Sequence, residues 1–211
     1  MSTKLAHPKP RMSSEERRAA IIHAACRLFA ERGFRGTTTR ELAAAVGVTE
    51  PVLYEHFRTK RDLYSAIIGE KAKDGMATLA GLRDKYAAME DDRGFFIALG
   101  NAIIHWYTND STFVRILLFS SLEGHELKDL FHERSQEFFQ IVSTFIERRI
   151  AAGAMRPVNP TVAARAFFGM IGHYAQSGLV FGCAPFNEPP EEIVKAMVDI
   201  FMKGMSKEDS K

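Results

Sequence analysis

Thr38 to Phe57 reads TTRELAAAVGVTEPVLYEHF. Two short apolar patterns are separated by a glycine, and each is opened by a threonine. Thr38 with Glu41 has the spacing of a capping box, in which side chain and backbone satisfy each other's donors. Leu42, Ala43 and Val46 then give one apolar face, and Gly47 stops the helix after about two turns. Thr49 is placed to cap the next helix through the N–H of Val52. Leu53 and Phe57 lie about one turn apart on its inward side, Pro51 and Glu55 face out, and Val52 and Tyr54 flank. Pro51 falls in the first turn, where the backbone N–H lacks an intrahelical partner, so the proline stiffens the start rather than breaking it. Glu50 suits the positive end of that helix. Two helices joined by Ala45-Val46-Gly47-Val48 read as a helix-turn-helix.

The flanks complete a three-helix unit. The run SSEERR opens an earlier helix with Ser13 or Ser14 as cap, and Ile21, Ala25, Leu28 and Phe29 follow helical spacing up to Gly33. Thr59 with Asp62 starts a fourth helix through a weaker form of the same box. Beyond it, Asp92–Tyr107, Thr112–Leu122, Glu126–Ala152, Pro160–Phe181 and Pro190–Met205 read as helices, with no alternating strand pattern and no repeat. The expectation is an all-α chain of about nine helices: a basic arm over 1–12, a helix-turn-helix domain over 13–58, a connecting helix over 59–75 and a helical sensing and dimerisation domain over 76–211.

Charge points to the partner. Through Asp74 there are 14 Lys and Arg against 9 Asp and Glu, while the whole chain holds 28 against 26. The front third is therefore at +5 and the remainder at −3, and a basic segment favours polyanions. Tyr54 and His56 are candidate phosphate contacts. Glu55 has two readings: a solvated acid or partner for Arg58 or Thr59, and an acceptor for a cytosine amino group in the major groove. Lys60, near the N-terminus of the fourth helix, reads as a phosphate clamp. The arm with Lys4, Lys9 and Arg11 reads as a disordered tail, with minor-groove binding as the second reading.

The run IIHAACRLFAERGFRGTTTRELAAAVGVTEPVLYEHFRTKRDLYSAII closely resembles the DNA-binding domain of TetR-type transcriptional regulators. The features that carry it are LFAERGF, Thr38-x-x-Glu41-Leu42-Ala43, Gly47-Val48-Thr49, and Leu53-Tyr54-x-His56-Phe57 followed by Lys60. It covers about 50 residues and nothing after about residue 70. The resemblance implies an all-helical homodimer, bound to an inverted-repeat operator in double-stranded DNA and released by a small ligand. It also implies that Thr38 and Arg40 lie near the DNA backbone, that Thr49, Glu50, Pro51 and Val52 enter the groove, and that Tyr54, His56 and Lys60 hold phosphates. The sequence departs from the family at Glu50, where a basic or small residue is common, and at Pro51, where glycine or alanine is.

The rest of the chain reads as sensor and dimeriser. Gly169, Gly172, Ala175 and Gly178 lie on or near one stripe, and with Met197 and Phe201 of the last helix they fit a four-helix interface between two subunits. Packing within one chain is the alternative. Aromatic residues crowd the middle; Trp106, Phe119, Phe138 and His173 are the candidate lining of a pocket for an apolar or aromatic effector. His125 and His132, with Glu123, Glu126 and Glu133, read as a solvated polar face, so no metal is expected. There is no Gly-rich phosphate loop, nucleophile elbow or HExxH, so neither an enzyme nor a cofactor is expected. No apolar run reaches the roughly 18 residues of a membrane span. MSTKLAHPKPRM lacks the apolar stretch of a secretory signal, and Cys26 and Cys183 read as buried free thiols, so a cytoplasmic protein is expected.

Overall fold

The computed structural model describes residues 12–109, 111–122, 125–179, 181–183 and 187–206. The predicted basic arm lies outside them except for Met12. Among the described residues the chain is nine helices and no strand: α1 (Ser14–Arg32), α2 (Thr39–Val46), α3 (Glu50–His56), α4 (Lys60–Met89), α5 (Asp92–Asn109), α6 (Ser111–Leu122), α7 (His125–Ala151), α8 (Pro160–Leu179) and α9 (Pro190–Met205). Two compact units divide between Ile67 and Ile68, inside the segment expected to connect two domains.

The first unit is built from locally capped helices. Ser13 and Glu16 form a full capping box on α1, and Thr38 and Glu41 form one on α2. The Thr59 hydroxyl accepts from the Asp62 N–H at 3.0 Å, and the Thr59 N–H donates to Asp62 Oδ2 at 3.1 Å. Gly47 closes α2 at φ 73° and ψ 32°, a left-handed conformation that a side chain would oppose. Gly33, where the first helix was expected to end, also has positive φ but an extended ψ of 176°, so it turns the chain without a left-handed cap. Inside, Phe29, Phe34 and Tyr64 form a ring triad with centroids 5.2 to 5.8 Å apart.

Two further expectations are corrected. The connecting helix was placed at 59–75, yet α4 runs 30 residues to Met89. Gly75 and Gly81 lie inside this helix, where an interior glycine costs only about 1 kcal/mol, and Leu79 between them is fully buried. Cys183 is exposed, whereas Cys26 is buried as expected.

The second unit is a helical core in which α5 packs on α8 and α9 and α7 packs on α8. Phe95 stacks on Phe145 at 3.9 Å, and Phe96 meets Phe167 and Phe201 at 4.9 and 4.8 Å. At the edge of this core Arg149 Nε lies 2.6 Å from Asp92 Oδ1. The two atoms are close enough for an ion pair but are not aligned as a hydrogen bond. Burial pushes the Asp92 carboxyl above its ordinary pKa, and Arg149 opposes the rise.

Close approach of α5 and α9 depends on Gly100, where an added Cβ would stand 2.7 Å from Val194 Cγ1. Val194 is fully buried, so Gly100→Ala is expected to cost about 1–3 kcal/mol by overpacking. Thermal or urea unfolding measures it. Gly100→Ala combined with Val194→Ala is expected to cost less than the sum of the two changes, since each relieves the other's misfit.

Candidate functional site

The face expected from the sequence to meet DNA is assembled from the ends of α1 to α4. On α3, Leu53 and Phe57 turn inward at 2% and 5% exposure, with the Arg18 guanidinium 5.0 Å over the Phe57 ring. That anchoring leaves Pro51, Tyr54 and Glu55 exposed on the outer face, with Val52 and His56 half-buried beside them.

Thr49 departs from expectation. It has the extended backbone of a cap residue, but its hydroxyl makes no capping bond. A cap oxygen usually accepts from the second or third helical N–H, and the second position is Pro51, which has none. Glu50 is likewise held: the Thr39 hydroxyl donates to its Oε2 at 2.6 Å. The carboxylate expected to enter the groove thus ties α3 back to α2.

Arg35, Thr37, Thr38, Thr39, Tyr54, Arg58, Thr59 and Lys60 line an open depression of about 440 Å³. The first turns of α2 and α4 contribute to its rim, and the positive ends of their dipoles favour an anion. Thr38, Tyr54 and Lys60 were named from sequence and the fold gathers them here; Arg40 is exposed elsewhere on α2. Arg35, Thr37, Thr39, Arg58 and Thr59 were missed as site residues. For Arg35 and Arg58 the signal was the basic excess of the front third; the threonines gave none as site residues. Lys60 is not a free clamp: its ammonium donates to the carbonyls of Phe34 at 2.8 Å and Thr37 at 2.9 Å, and stands 4.2 Å over the Phe34 ring.

In the second unit the fold brings together some of the aromatic candidates. Trp106 and Phe138 meet edge to face at 5.8 Å, and Phe138 and Phe139 both meet Phe168, at 5.3 and 5.7 Å. The Arg165 guanidinium lies 4.3 Å over the Phe139 ring. Gly75 of α4 faces the Trp106 ring, which an added Cβ would touch at 3.4 Å. Beside Trp106, burial pushes the Tyr107 phenol above its ordinary pKa. Phe119 is half-buried on α6, and His173 is exposed, so His173 is not a lining residue of this cluster.

His173 instead continues an exposed stripe on α8: Val162, Ala166, Gly169, His173. The small-residue stripe expected there splits. Steps of three residues drift about 60° each on a helix, so Gly169 faces out while Gly172 and Ala175 are buried. On α9, Phe201 packs into the core on Phe96 and Phe167. Its neighbour Ile200 is 68% exposed, and Met197 is half-buried.

Among the described residues, no group of three or more His, Cys, Asp or Glu side chains converges as a metal site would require. Of the acid and histidine cluster noted in the sequence, His132 is exposed and 3.2 Å from Gln136 Nε2. Glu123 and the side chains of His125, Glu126 and Glu133 lie outside the described residues.

A capped three-helix unit with a helix-turn-helix, followed by a separate helical core, is the build of a helix-turn-helix regulator. Residues 21–67 match the model of bacterial regulatory proteins of the tetR family, and residues 97–204 match the C-terminal domain of AefR-like transcriptional repressors. The chain belongs to the tetR family of transcriptional regulators, which are not enzymes. It is 31% identical over 107 residues to the transcriptional activator FasR of Mycolicibacterium smegmatis, a match covering 51% of this chain and 48% of FasR. The chain thus spans about half the length of that relative. Among solved structures it is similar to AibR in complex with isovaleryl coenzyme A and operator DNA, with a TM-score of 0.58 and 25% identity over 88% of this chain and 97% of that one. It is also similar to the flavonoid-responsive regulator FrrA, with a TM-score of 0.67 and 26% identity over 92% and 100%. No described helix is long and apolar enough to cross a membrane.

The α2 cap makes the DNA-facing unit sensitive to acid. The Thr38 backbone N–H, then its hydroxyl, and Arg32 hold the Glu41 carboxyl below its ordinary value of 4.5. The fold therefore favours the carboxylate. Its contribution is complete above that ordinary value and is lost as pH falls through the lower folded-state pKa. Glu41→Gln is expected to flatten the acid limb of a Tm-against-pH curve. Thr38→Ala is expected to cost about 1 kcal/mol at neutral pH.

Proposed function

We propose that this regulator is a homodimeric repressor that binds an inverted-repeat operator through α2, α3 and the start of α4, and leaves it when an apolar or aromatic effector enters the second unit. The observation that carries the DNA-binding part is the outward face of α3 bordering a basic depression built at two helix starts. Thr38, Arg40, Tyr54 and His56 contact the DNA backbone. Pro51, Val52 and Glu55 face the bases, with Thr49 and the braced Glu50 at the mouth of the groove. Repression, rather than activation, is supported by the match to an AefR-like repressor domain.

The dimer face is the exposed stripe of α8 together with α9. Val162 and Ile200 are exposed at 62% and 68%, and a Cβ on Gly169 would meet nothing within 4 Å. Exposed apolar groups beside a bare backbone suit a second helix pair. Gly169 and Met197 stay in this interface, Gly172 lies behind it, and Ile200 takes the place expected of Phe201. Ile200→Glu is expected to turn a dimer into a monomer in sedimentation. Operator affinity would fall by about two orders of magnitude, because half-sites are then engaged singly.

The effector site is the cluster of Trp106, Phe138, Phe139 and Phe168, with Phe119 at its margin. Trp106 faces α4 across Gly75, so a ligand that moves the indole presses on the helix whose first turn borders the DNA-facing depression. Trp106 is the single tryptophan, so its emission reports occupancy. Isovaleryl coenzyme A and a flavonoid are the first probes, after the printed ligands and responses of AibR and FrrA. An effector is expected to shift Trp106 emission and weaken binding to the footprinted operator. A probe that shifts the emission while leaving operator affinity unchanged would sink the coupling. A protein that binds its operator but responds to no apolar ligand would be a constitutive factor.

A further inference from the structure

We infer that Lys60 is a positioning residue that orients the start of α2, and that Arg58, not Lys60, supplies phosphate-neutralising charge in the depression they share. The inference rests on the DNA-binding reading of that surface. An ammonium has three N–H donors. Two of them go to backbone carbonyls 26 and 23 residues earlier in the chain, those of Phe34 and Thr37. The charge also sits over the Phe34 ring.

The Thr37 carbonyl belongs to the peptide unit whose N–H is that of Thr38. That N–H donates to Glu41 Oε2 at 2.9 Å. One peptide unit is therefore gripped at both ends by opposite charges, Lys60 on its oxygen and Glu41 on its nitrogen. Both bonds are charge-assisted, and each polarises the amide in the sense that strengthens the other. The Thr37 hydroxyl, buried, donates to the Gly33 carbonyl at 2.9 Å and closes the loop from within. This peptide leads into Thr38, the N-cap of α2, so its orientation fixes how the chain enters the helix that carries Thr39 and Arg40. Lys60 is also the first residue of α4, so a displacement of that helix start pulls directly on the peptide that opens α2. Arg58 lines the same depression and is exposed.

The test compares Lys60→Met, Lys60→Arg and Arg58→Gln in the full-length protein. Two readouts are needed: the salt dependence of operator binding, and the Thr38 amide in ¹H–¹⁵N spectra with its hydrogen exchange. Neutralising one phosphate contributes about 0.9 to the slope of log K against log salt. Lys60→Met is expected to weaken operator binding about tenfold with little change in slope, to shift the Thr38 amide and to speed its exchange. Lys60→Arg, which keeps paired donors, is expected to restore the amide signature. Arg58→Gln is expected to lower the slope by about 0.9 and leave the Thr38 amide where it was. If Lys60→Met does not fold, Lys60→Gln, with a neutral donor, carries the same comparison. A Lys60 variant that loses about 0.9 of slope with an unmoved Thr38 amide would overturn the assignment. If the wild-type protein binds no operator, the DNA-binding proposal fails, while the amide readout on free protein still decides what Lys60 holds.

Discussion

The first unit hangs on three rings. Tyr64 of α4, among the largest fully buried side chains, lies edge-on to Phe29 of α1 and to Phe34 of the following turn. Aromatic pairs at these distances add to the stabilisation from burial itself. Their location matters more than their sum, because the triad joins α1, the α1–α2 turn and α4 at one point. The helix-turn-helix is then suspended between fixed ends. α2 is too short to be stable alone, and it gains its geometry from the turn before it and from Leu42 and Ala43 packed beneath it. Phe34 serves twice, since its ring packs in the triad while its carbonyl and ring face receive Lys60.

Polar bracing follows the same economy of short reach. Thr38 with Glu41 and Thr59 with Asp62 satisfy orphan donors inside the first turn of each helix. Thr39 with Glu50 then locks α3 to α2 across the turn. These bonds hold the outer face of α3 in place, so under the proposed DNA-binding reading its residues need little ordering on binding. The second unit has a different design. Its core is Phe-rich and closely packed around Phe95, Phe96, Phe145 and Phe167, while Trp106, Phe138, Phe139 and Phe168 form a less buried aromatic margin. The proposed effector site lies at that margin and not in the centre, where every void carries a cost.

Legibility divided along the range of the interactions. A serine cap on α1, the capping boxes of α2 and α4, the turn at Gly47, and Leu53 and Phe57 beneath α3 were all readable, because each pattern closes within three or four residues. The helix-turn-helix follows from those local patterns, whereas the family rests on the resemblance of the whole run and on the family models that match it. The face of α8 was read wrongly because a three-residue spacing was taken as one stripe. The helical period sends Gly169 outward and Gly172 and Ala175 inward. The length of α4 was underestimated: the expected connecting helix ended at 75, whereas the helix continues through Gly75 and Gly81 to Met89.

By itself the sequence determined the all-helical class, the order of the helices, the DNA-facing unit and the helix within it that faces outward. Those properties depend on periodicity, caps and turns, whose free energies are local. Only the tertiary structure decided the tasks of particular polar and aromatic groups. It brought the Lys60 ammonium to the carbonyls of Phe34 and Thr37, and the Glu50 carboxylate to the Thr39 hydroxyl. It also set Phe201 into the core, His173 onto the surface, and Trp106 against Gly75 of another helix. A hydrogen bond or ring contact between residues 11 to 26 or more positions apart depends on where folding brings the chain back to itself, and no local spacing encodes that.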